Sequence, residues 1–176
     1  MHYPQIVHEH GVVYLEGRLS HSLDRGPMKV LFVFAHPEPR SLNGALRDVA
    51  IRELETQGNE VRMSDLYAGR WKSQVDRADF PSLAADASLK PARASADAFA
   101  AKALTDDVRA EQDKLLWADT LILQFPLWWF SMPAILKGWV DRVYAYGFAY
   151  GVGEHSDQHW GDRLSLIHIS EPTRPY

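Results

Sequence analysis

The stretch ADTLILQFPLWWFSMPAILKGWVDRVYAYGFAY, residues 118–150, decides the fold class of this chain. It opens on a short apolar run at 121–123, which is typical of a strand buried on both faces of a parallel sheet. Pro126 is expected to end that strand, because proline has no N–H group to give to a sheet ladder. The residues that follow, 127–130, are mostly aromatic and predict a bulky turn.

A helix is expected directly after this turn. It should begin near 131–133, with Ser131 as the cap and Pro133 in the first turn. Residues four apart, Ile135, Trp139 and Val143, predict its buried face, and Leu136, Val140 and Tyr144 lie beside them. Ligands of open α/β sheets bind at the carboxyl ends of the strands, so the turn is a candidate binding site.

A second strand–helix unit precedes this stretch. Residues 29–35, which are apolar from Val30 onward, predict a central parallel strand, and 60–63 predict the strand after it. A helix is expected over 41–57, with its inward stripe formed by Leu42, Leu46, Val49, Ala50 and Leu54. A further helix is expected from 105 or 106 to Trp117, with Val108, Leu115 and Leu116 inward. Residues 82–101 allow either a marginal helix or a lid.

The loop AHPEPRSLN, residues 35–43, is a candidate anion site. A helix N-terminus presents unpaired N–H groups and a partial positive charge. His36, Arg40, Ser41 and Asn43 can add side-chain donors around it. The alternative interpretation is purely structural: Ser41 caps the helix and His36 is an ordinary loop histidine.

Together, AHPEPRSLN, QFPLWWFSMPAILKGWVDRV and the later GFAY resemble the flavin-binding core of the NAD(P)H:quinone oxidoreductases, the DT-diaphorase-like, flavodoxin-fold family. The resemblance covers about 28–163. It implies an α/β, flavodoxin-like three-layer parallel sheet that lacks its C-terminal strands. FAD is the implied cofactor, with FMN as the alternative.

The resemblance also implies a set of site residues. The phosphate and ribityl end of the flavin would contact His36, Ser41, Leu42 and Asn43, and the ring would contact Pro126, Leu127, Trp128, Trp129 and Phe130. Tyr150 matches a family tyrosine that lines the quinone pocket and is the implied catalytic residue. A second family tyrosine is replaced by Val152, which suggests a bacterial-type relative.

The implied activity is two-electron hydride transfer from NAD(P)H to a quinone or another small electron acceptor, by a ping-pong mechanism. The family forms homodimers, and the aromatic turn is consistent with a surface covered by a partner. Two alternatives stay open: a flavoprotein regulatory subunit of a cation-efflux system, or an inactive truncated fragment.

The overall composition of the chain excludes further classes of function. The 176 residues suit one domain, and the formal charge of -4 gives no basic field for nucleic acid. The chain has no cysteine and no apolar run long enough for a membrane span, so a cytoplasmic enzyme is expected. No metal site is expected: His2, His8 and His10, and the group Glu154, His155 and His159, are more typical of solvated segments.

The two ends of the chain depart from this pattern. Residues 1–27 are expected to be a poorly ordered extension or a mis-assigned start, because 11–17 could form a strand but nothing nearby would pair with it. Residues 164–176, LSLIHISEPTRPY, resemble a translated sequencing adapter. The alternation Ile167-His168-Ile169 is then accidental, and the partial flavodoxin-like domain spans 28–163.

Overall fold

A computed structural model describes residues 26–150 in full and the backbone of three further strands, Ile6–Glu9, Val12–Leu15 and Ser165–Pro172. The chain divides into two compact units. Unit 1 comprises Met1–Trp71, Trp117–Pro133 and Leu164–Tyr176, and unit 2 comprises Lys72–Leu116 and Ala134–Arg163.

Unit 1 is built on a mostly parallel sheet. Its strands in chain order are β1 (Ile6–Glu9), β2 (Val12–Leu15), β3 (Lys29–Phe34), β4 (Glu60–Asp65), β5 (Thr120–Leu127) and β6 (Ser165–Pro172). They are arranged in the order β1-β2-β6-β5-β3-β4. The four neighbours β6, β5, β3 and β4 run parallel, and β2 and β1 add an antiparallel edge. The predicted α/β class is confirmed.

The centre of the sheet is apolar, as the continuous runs predict. Val30, Phe32 and Phe34 of β3 form a buried cluster with Ile122 of β5. Helix α1 (Leu42–Thr56) packs on this cluster through partly buried apolar residues, which are Ala50, Ile51 and Leu54.

The inward stripe predicted for α1 is partly wrong. Leu42, Leu46 and Val49 are 66%, 45% and 53% exposed, whereas Asn43 and Gly44 are buried. Contacts at the helix start decide this rotation: the Asn43 side chain accepts a buried hydrogen bond, and Gly44 lies against the backbone of Pro39. Local periodicity does not report such contacts.

Strand β5 does not stop at Pro126 as predicted but continues to Leu127. The pairing of β5 with β3 ends at Gln124, so the missing N–H of Pro126 falls beyond that ladder, where proline is tolerated. Helix α4 (Ala134–Val143) begins later than expected. Ser131 exchanges main-chain hydrogen bonds with Trp128, so it closes the turn rather than starting the helix.

Both chain ends contribute backbone to the sheet, contrary to prediction. Strand β6 pairs with β5 along its whole length, so the sheet does not stop at β5. Strand β2 finds partners on both sides, in β1 and β6. The expected poorly ordered extension therefore contains a hairpin. The partners were missed because they are distant in sequence; the adapter origin of 164–176 stays a prediction.

Unit 2 contains a short 3-10 helix (Arg77–Asp79) and three α-helices: α2 (Pro91–Ala100), most of α3 (Asp106–Trp117), and α4. Trp139, Val143 and Leu136 are buried, which confirms the main part of the predicted α4 face; Ile135 is half-buried. Val108 and Leu115 of α3 are buried as predicted, but Leu116 is 61% exposed. Among the described residues, no helix is long and apolar enough to cross a membrane.

Candidate functional site

Two turns lie at neighbouring strand ends in unit 1. The phosphate turn, residues 36–43, follows β3, and the aromatic turn, residues 126–131, lies at the end of β5. Strands β3 and β5 are adjacent and parallel, with Phe34 paired to Gln124 at their carboxyl ends. The topology therefore brings both sequence-predicted motifs to the ligand-binding edge of the sheet.

Ser41 caps α1 through its side chain. Its backbone is extended (φ -69°, ψ 166°) and its Oγ accepts a hydrogen bond of 3.1 Å from the N–H of Gly44. Its carbonyl accepts 2.9 Å from the N–H of Ala45. The structural interpretation of Ser41 is thus confirmed. It does not exclude the functional one, because the cap fixes the helix N-terminus that an anion would meet.

His36 is half-buried and held inside the phosphate turn. Its Nδ1 lies 3.0 Å from the backbone nitrogen and 2.9 Å from the carbonyl oxygen of Glu38. Glu38 also accepts from the backbone N–H of Arg40 at 2.8 Å and pairs with its Nε at 3.3 Å. The Arg40 side chain is 90% exposed, so this charge stays in solvent at the turn surface.

Gly44 allows the phosphate turn to pack against the helix start. A Cβ atom at this position would lie 1.9 Å from the carbonyl oxygen of Pro39. No side chain fits at that distance, so the close approach of turn and helix depends on glycine. The sequence contains this glycine, but its role needs the tertiary contact to be seen.

Gln124 joins the two turns and was missed from sequence. Its side-chain nitrogen donates to the carbonyl and to the Oδ1 of Asn43, at 2.6 and 2.7 Å. Both residues are buried, at 1% and 2% exposure. The Oε1 of Gln124 is buried and has no hydrogen-bond partner among the described residues. The sequence signal that could have indicated Gln124 is its place at the start of the motif QFPLWWF.

Arg47 is a second residue that sequence reasoning missed. Its guanidinium lies over the Phe34 ring at 4.5 Å from the centroid. It also pairs with Asp48 at 2.7 Å and with Asp65, at the end of β4, at 3.5 Å. The side chain is only 13% exposed, so it places a largely buried positive charge near the carboxyl ends of β3 and β4.

The aromatic turn presents two bare rings in a strained backbone. Trp128 and Ser131 exchange two main-chain hydrogen bonds of 3.0 Å, which close the turn. Between them, Trp129 and Phe130 have φ of 50° and 59°, and each side chain is 94% exposed. Left-handed backbone is costly for bulky residues and clusters at functional sites.

The other predicted site residues differ in accessibility. Pro126 is buried, Leu127 is half-buried, and Leu42 is 66% exposed at the start of α1. Tyr150 belongs to unit 2 and is 50% exposed. Its ring packs edge-on against Tyr146 at 5.4 Å, and its carbonyl accepts 2.7 Å from the N–H of Gly147.

No group of three or more potential metal ligands occurs among the described residues. The histidines weighed against a metal site at 2, 8 and 10, and the group at 154–159, have side chains outside the described part of the chain.

The sheet order and the two turns define an α/β protein whose candidate ligand site lies at the carboxyl ends of its parallel strands. Residues 28–170 match the family described as flavodoxin-like fold, and the chain belongs to that family. The flavodoxin-like fold class is therefore confirmed.

Proteins similar to this chain are named as dehydrogenases, dehydrogenase-like proteins or quinone reductases. It is 65% identical over 136 residues to a ribosyldihydronicotinamide dehydrogenase-like protein (traD) of Penicillium crustosum, covering 77% of this chain and 51% of the relative. It is 44% identical over 141 residues to ribosyldihydronicotinamide dehydrogenase [quinone] of Rattus norvegicus, covering 79% and 61%. A solved structure from Klebsiella pneumoniae, described as that of a quinone reductase, is 57% identical with a TM-score of 0.72, covering 81% of this chain and 59% of that one. The chain thus spans about half to three fifths of the length of these proteins.

The residues present fit a flavin. The capped N-terminus of α1 suits a phosphate, the exposed rings of the aromatic turn suit a planar heterocycle, and the orphaned Oε1 of Gln124 shows a polar acceptor buried between the two turns.

Proposed function

We propose that this protein is a flavin-dependent quinone oxidoreductase. The observation that carries the proposal is the pairing of an anion-accepting helix start with an exposed aromatic turn on adjacent strands, joined by Gln124 and Asn43. A bound flavin supplies two-electron hydride transfer between a reduced nicotinamide and a quinone. The likeness to an enzyme named as a quinone dehydrogenase supports the same class.

The residues of the phosphate turn hold the phosphate and ribityl end of the flavin in this proposal. The N-terminal N–H groups of α1 face the phosphate, and His36, Ser41 and Asn43 supply polar side chains around it. Leu42, exposed at the first turn, covers the flavin chain. FAD, which the sequence resemblance implies, is the first choice, and FMN is the alternative because it also carries the phosphate that this turn would bind.

The aromatic turn holds the ring. Trp129 and Phe130 are bare in this structure, and their left-handed backbone holds both side chains out from the sheet edge. Pro126, Leu127 and Trp128 form the base of the same surface. Backbone N–H groups of the turn can stabilise negative charge that develops on the ring during reduction.

The electron donor is a reduced nicotinamide. The sequence resemblance implies NAD(P)H, whereas two relatives are named for ribosyldihydronicotinamide, which lacks the adenine nucleotide half. The acceptor is a quinone, and Tyr150 is proposed to line its pocket. Because one pocket serves both substrates in turn, initial rates should give the parallel-line pattern of a ping-pong mechanism.

We further propose that the protein is a homodimer and that it is located in the cytoplasm. The bare rings of Trp129 and Phe130 support a surface that a second copy covers. Light scattering of the flavin-loaded protein tests this point: twice the chain mass is expected at micromolar concentration. Cell fractionation tests the location.

The first experiment titrates the purified chain with FAD and FMN and then measures quinone-dependent oxidation of NADH, NADPH and ribosyldihydronicotinamide. Trp129→Ala and Phe130→Ala are expected to weaken flavin binding about 3- to 10-fold, the scale of one aromatic contact. Their melting temperatures should not fall, because both side chains are exposed. Leu116→Ala, a change at an apolar side chain of unit 2 that is 61% exposed, is the control and should leave flavin affinity unchanged.

Two results would contradict the proposal. If the folded chain binds neither FAD nor FMN, the proposed flavin site does not exist. If an aromatic-turn variant binds flavin as tightly as the unchanged chain, the aromatic turn does not contact the flavin ring. Tight flavin binding without turnover of any donor would instead favour the regulatory flavoprotein subunit.

A further inference from the structure

We propose that Gln124 is a positioning residue that holds both ends of the phosphate turn and so presets it for the phosphate of a flavin. The inference rests on the proposed function for the identity of the ligand. The hydrogen bonds of Gln124 to Ala35 and Asn43, called the clamp below, belong to this chain and can be measured without a ligand.

Gln124 reaches both ends of the turn through different atoms. Its main-chain carbonyl accepts a hydrogen bond of 3.0 Å from the N–H of Ala35, just before the turn. Its side-chain nitrogen donates to two oxygens of Asn43, the last residue of the turn, at 2.6 and 2.7 Å. One residue of β5 therefore bonds to both ends of the turn.

The environment makes this clamp stiff. Gln124 and Asn43 are 1% and 2% exposed, so water does not compete for their hydrogen bonds. Both bonds to Asn43 use the Gln124 amide as donor, which fixes the orientation of the Asn43 amide as well as its position. A turn that binds an anion without rearranging needs hydrogen bonds that fix it to a rigid strand.

The same residue connects the turn to the ring site. Gln124 lies immediately before Phe125 and Pro126, where the aromatic turn begins. Its side chain points towards α1. Its Oε1 has no hydrogen-bond partner within residues 26–150, so the bonds to Asn43 orient the amide. We therefore assign Gln124 to positioning, with no contact to reacting atoms required.

The chain offers a matched control. Gln112 of α3 is also a buried glutamine, 5% exposed, and its side-chain nitrogen donates 2.9 Å to the carbonyl of Val143 in unit 2. Gln124→Met and Gln112→Met each remove one buried amide of similar shape. Only the first removes the side-chain half of the clamp, the hydrogen bonds to Asn43.

The test compares both variants with the unchanged chain in two ways. Without ligand, hydrogen exchange is measured at the amides of Gly44 and Ala45 in the first turn of α1. With ligand, dissociation constants are measured for FAD, FMN and riboflavin, which has no phosphate. Gln124→Met should speed exchange at least 10-fold relative to Gln112→Met. It should weaken FAD and FMN binding at least 10-fold while changing riboflavin binding less than 3-fold.

Equal loss for all three flavins, or unchanged exchange at the first turn, would overturn the assignment, because each indicates a merely structural glutamine. If the unchanged chain binds no flavin, the proposed function fails, and the exchange comparison alone decides on the clamp. If the Gln124→Met chain does not fold, the clamp is tested by a measurement on the unchanged protein. The side-chain amide protons of Gln124 should exchange at least 100-fold more slowly than those of exposed Gln74, and equal rates would refute the clamp.

Discussion

The indole Nε1 of Trp139 on α4 donates a hydrogen bond of 2.9 Å to the carboxylate of Glu111 on α3, and both side chains are buried. Glu111 also pairs with Lys114 at 2.7 Å. The largest fully buried side chain of the described residues thus also donates a hydrogen bond to a buried carboxylate. Trp139 stabilises unit 2 by packing and by satisfying this carboxylate.

We predict that Trp139→Ala lowers the free energy of unfolding by about 3–5 kcal/mol, the usual cost of truncating a buried large aromatic. Trp139→Phe keeps most of the packing but removes the donor to Glu111, and should cost about 1–3 kcal/mol. Denaturant unfolding measures both values.

Trp129→Ala is the matched control for this pair. Its side chain is 94% exposed, so the change should fall within about 0.5 kcal/mol. A loss for Trp139→Ala as small as that of the control would show that the α4 face is not packed as described.

Gly44→Ala should destabilise the protein, although alanine in a helix usually adds about 0.5–1 kcal/mol over glycine. The new Cβ would lie 1.9 Å from the Pro39 carbonyl oxygen, so turn and helix must separate. Overpacking of this kind costs about 1–3 kcal/mol, and flavin affinity should fall with it. Thermal unfolding and flavin titration measure the two effects.

Gly26→Ala provides the comparison, because no atom of the described residues lies within 4 Å of a Cβ there. It should change neither stability nor flavin affinity. An increase in melting temperature for Gly44→Ala would mean that the phosphate turn is not held against α1.

Acid should weaken unit 2 through Asp107. Burial acts to raise the pKa of this carboxyl, but hydrogen bonds from Thr105 and Arg142 and the Arg142 charge bring it below its usual value. The Arg142 side chain is 2% exposed and lies 2.7 Å from Asp107 and 2.9 Å from Asp79. A pKa that is lower in the folded state contributes stability that is present above about pH 4, the unfolded value, and is lost as pH falls through the folded pKa.

We therefore expect Asp107→Asn to unfold more easily than the unchanged chain at pH 7 and to show a smaller further loss below about pH 4. Asp106→Asn, a change at a neighbouring side chain that is 92% exposed, should keep the acid response of the unchanged chain. Denaturant midpoints measured from pH 7 to pH 2 give both curves. Parallel curves for Asp107→Asn and the unchanged chain would argue against this ion pair.

Removal of β6 should expose the edge of β5. The two strands are paired from Thr120 with Ser165 to Leu127 with Pro172, and a bare edge is a template for association. A chain that stops at Arg163 should therefore melt at a lower temperature and form larger species in light scattering. A chain that stops at Pro172 keeps β6 and should behave as the full chain.

If the chain that stops at Arg163 stays as stable and as small as the full chain, β6 adds nothing to the sheet. That result would favour the prediction that residues 164–176 are adapter-derived.

Local sequence was enough for the elements that are fixed by local chemistry. The continuous apolar run at 29–35 predicted β3, because a strand covered on both faces needs apolar side chains throughout. Ser41 predicted the start of α1, because its hydroxyl satisfies an N–H of its own helix. The two motifs of the candidate site were found in the same way, since each lies within a few residues of a strand end.

Contacts between distant residues decided the rest. The hydrogen bonds of Gln124 to Asn43 cross 81 positions, and they and Gly44 turn the Leu42, Leu46 and Val49 side of α1 outward against the apolar pattern. Strand β6 likewise finds its partners far away in sequence, in β2 and β5. Periodicity reports which faces of an element are apolar. Which face is buried, and which edge is paired, depends on the hydrogen bonds and close approaches that form only when distant segments meet.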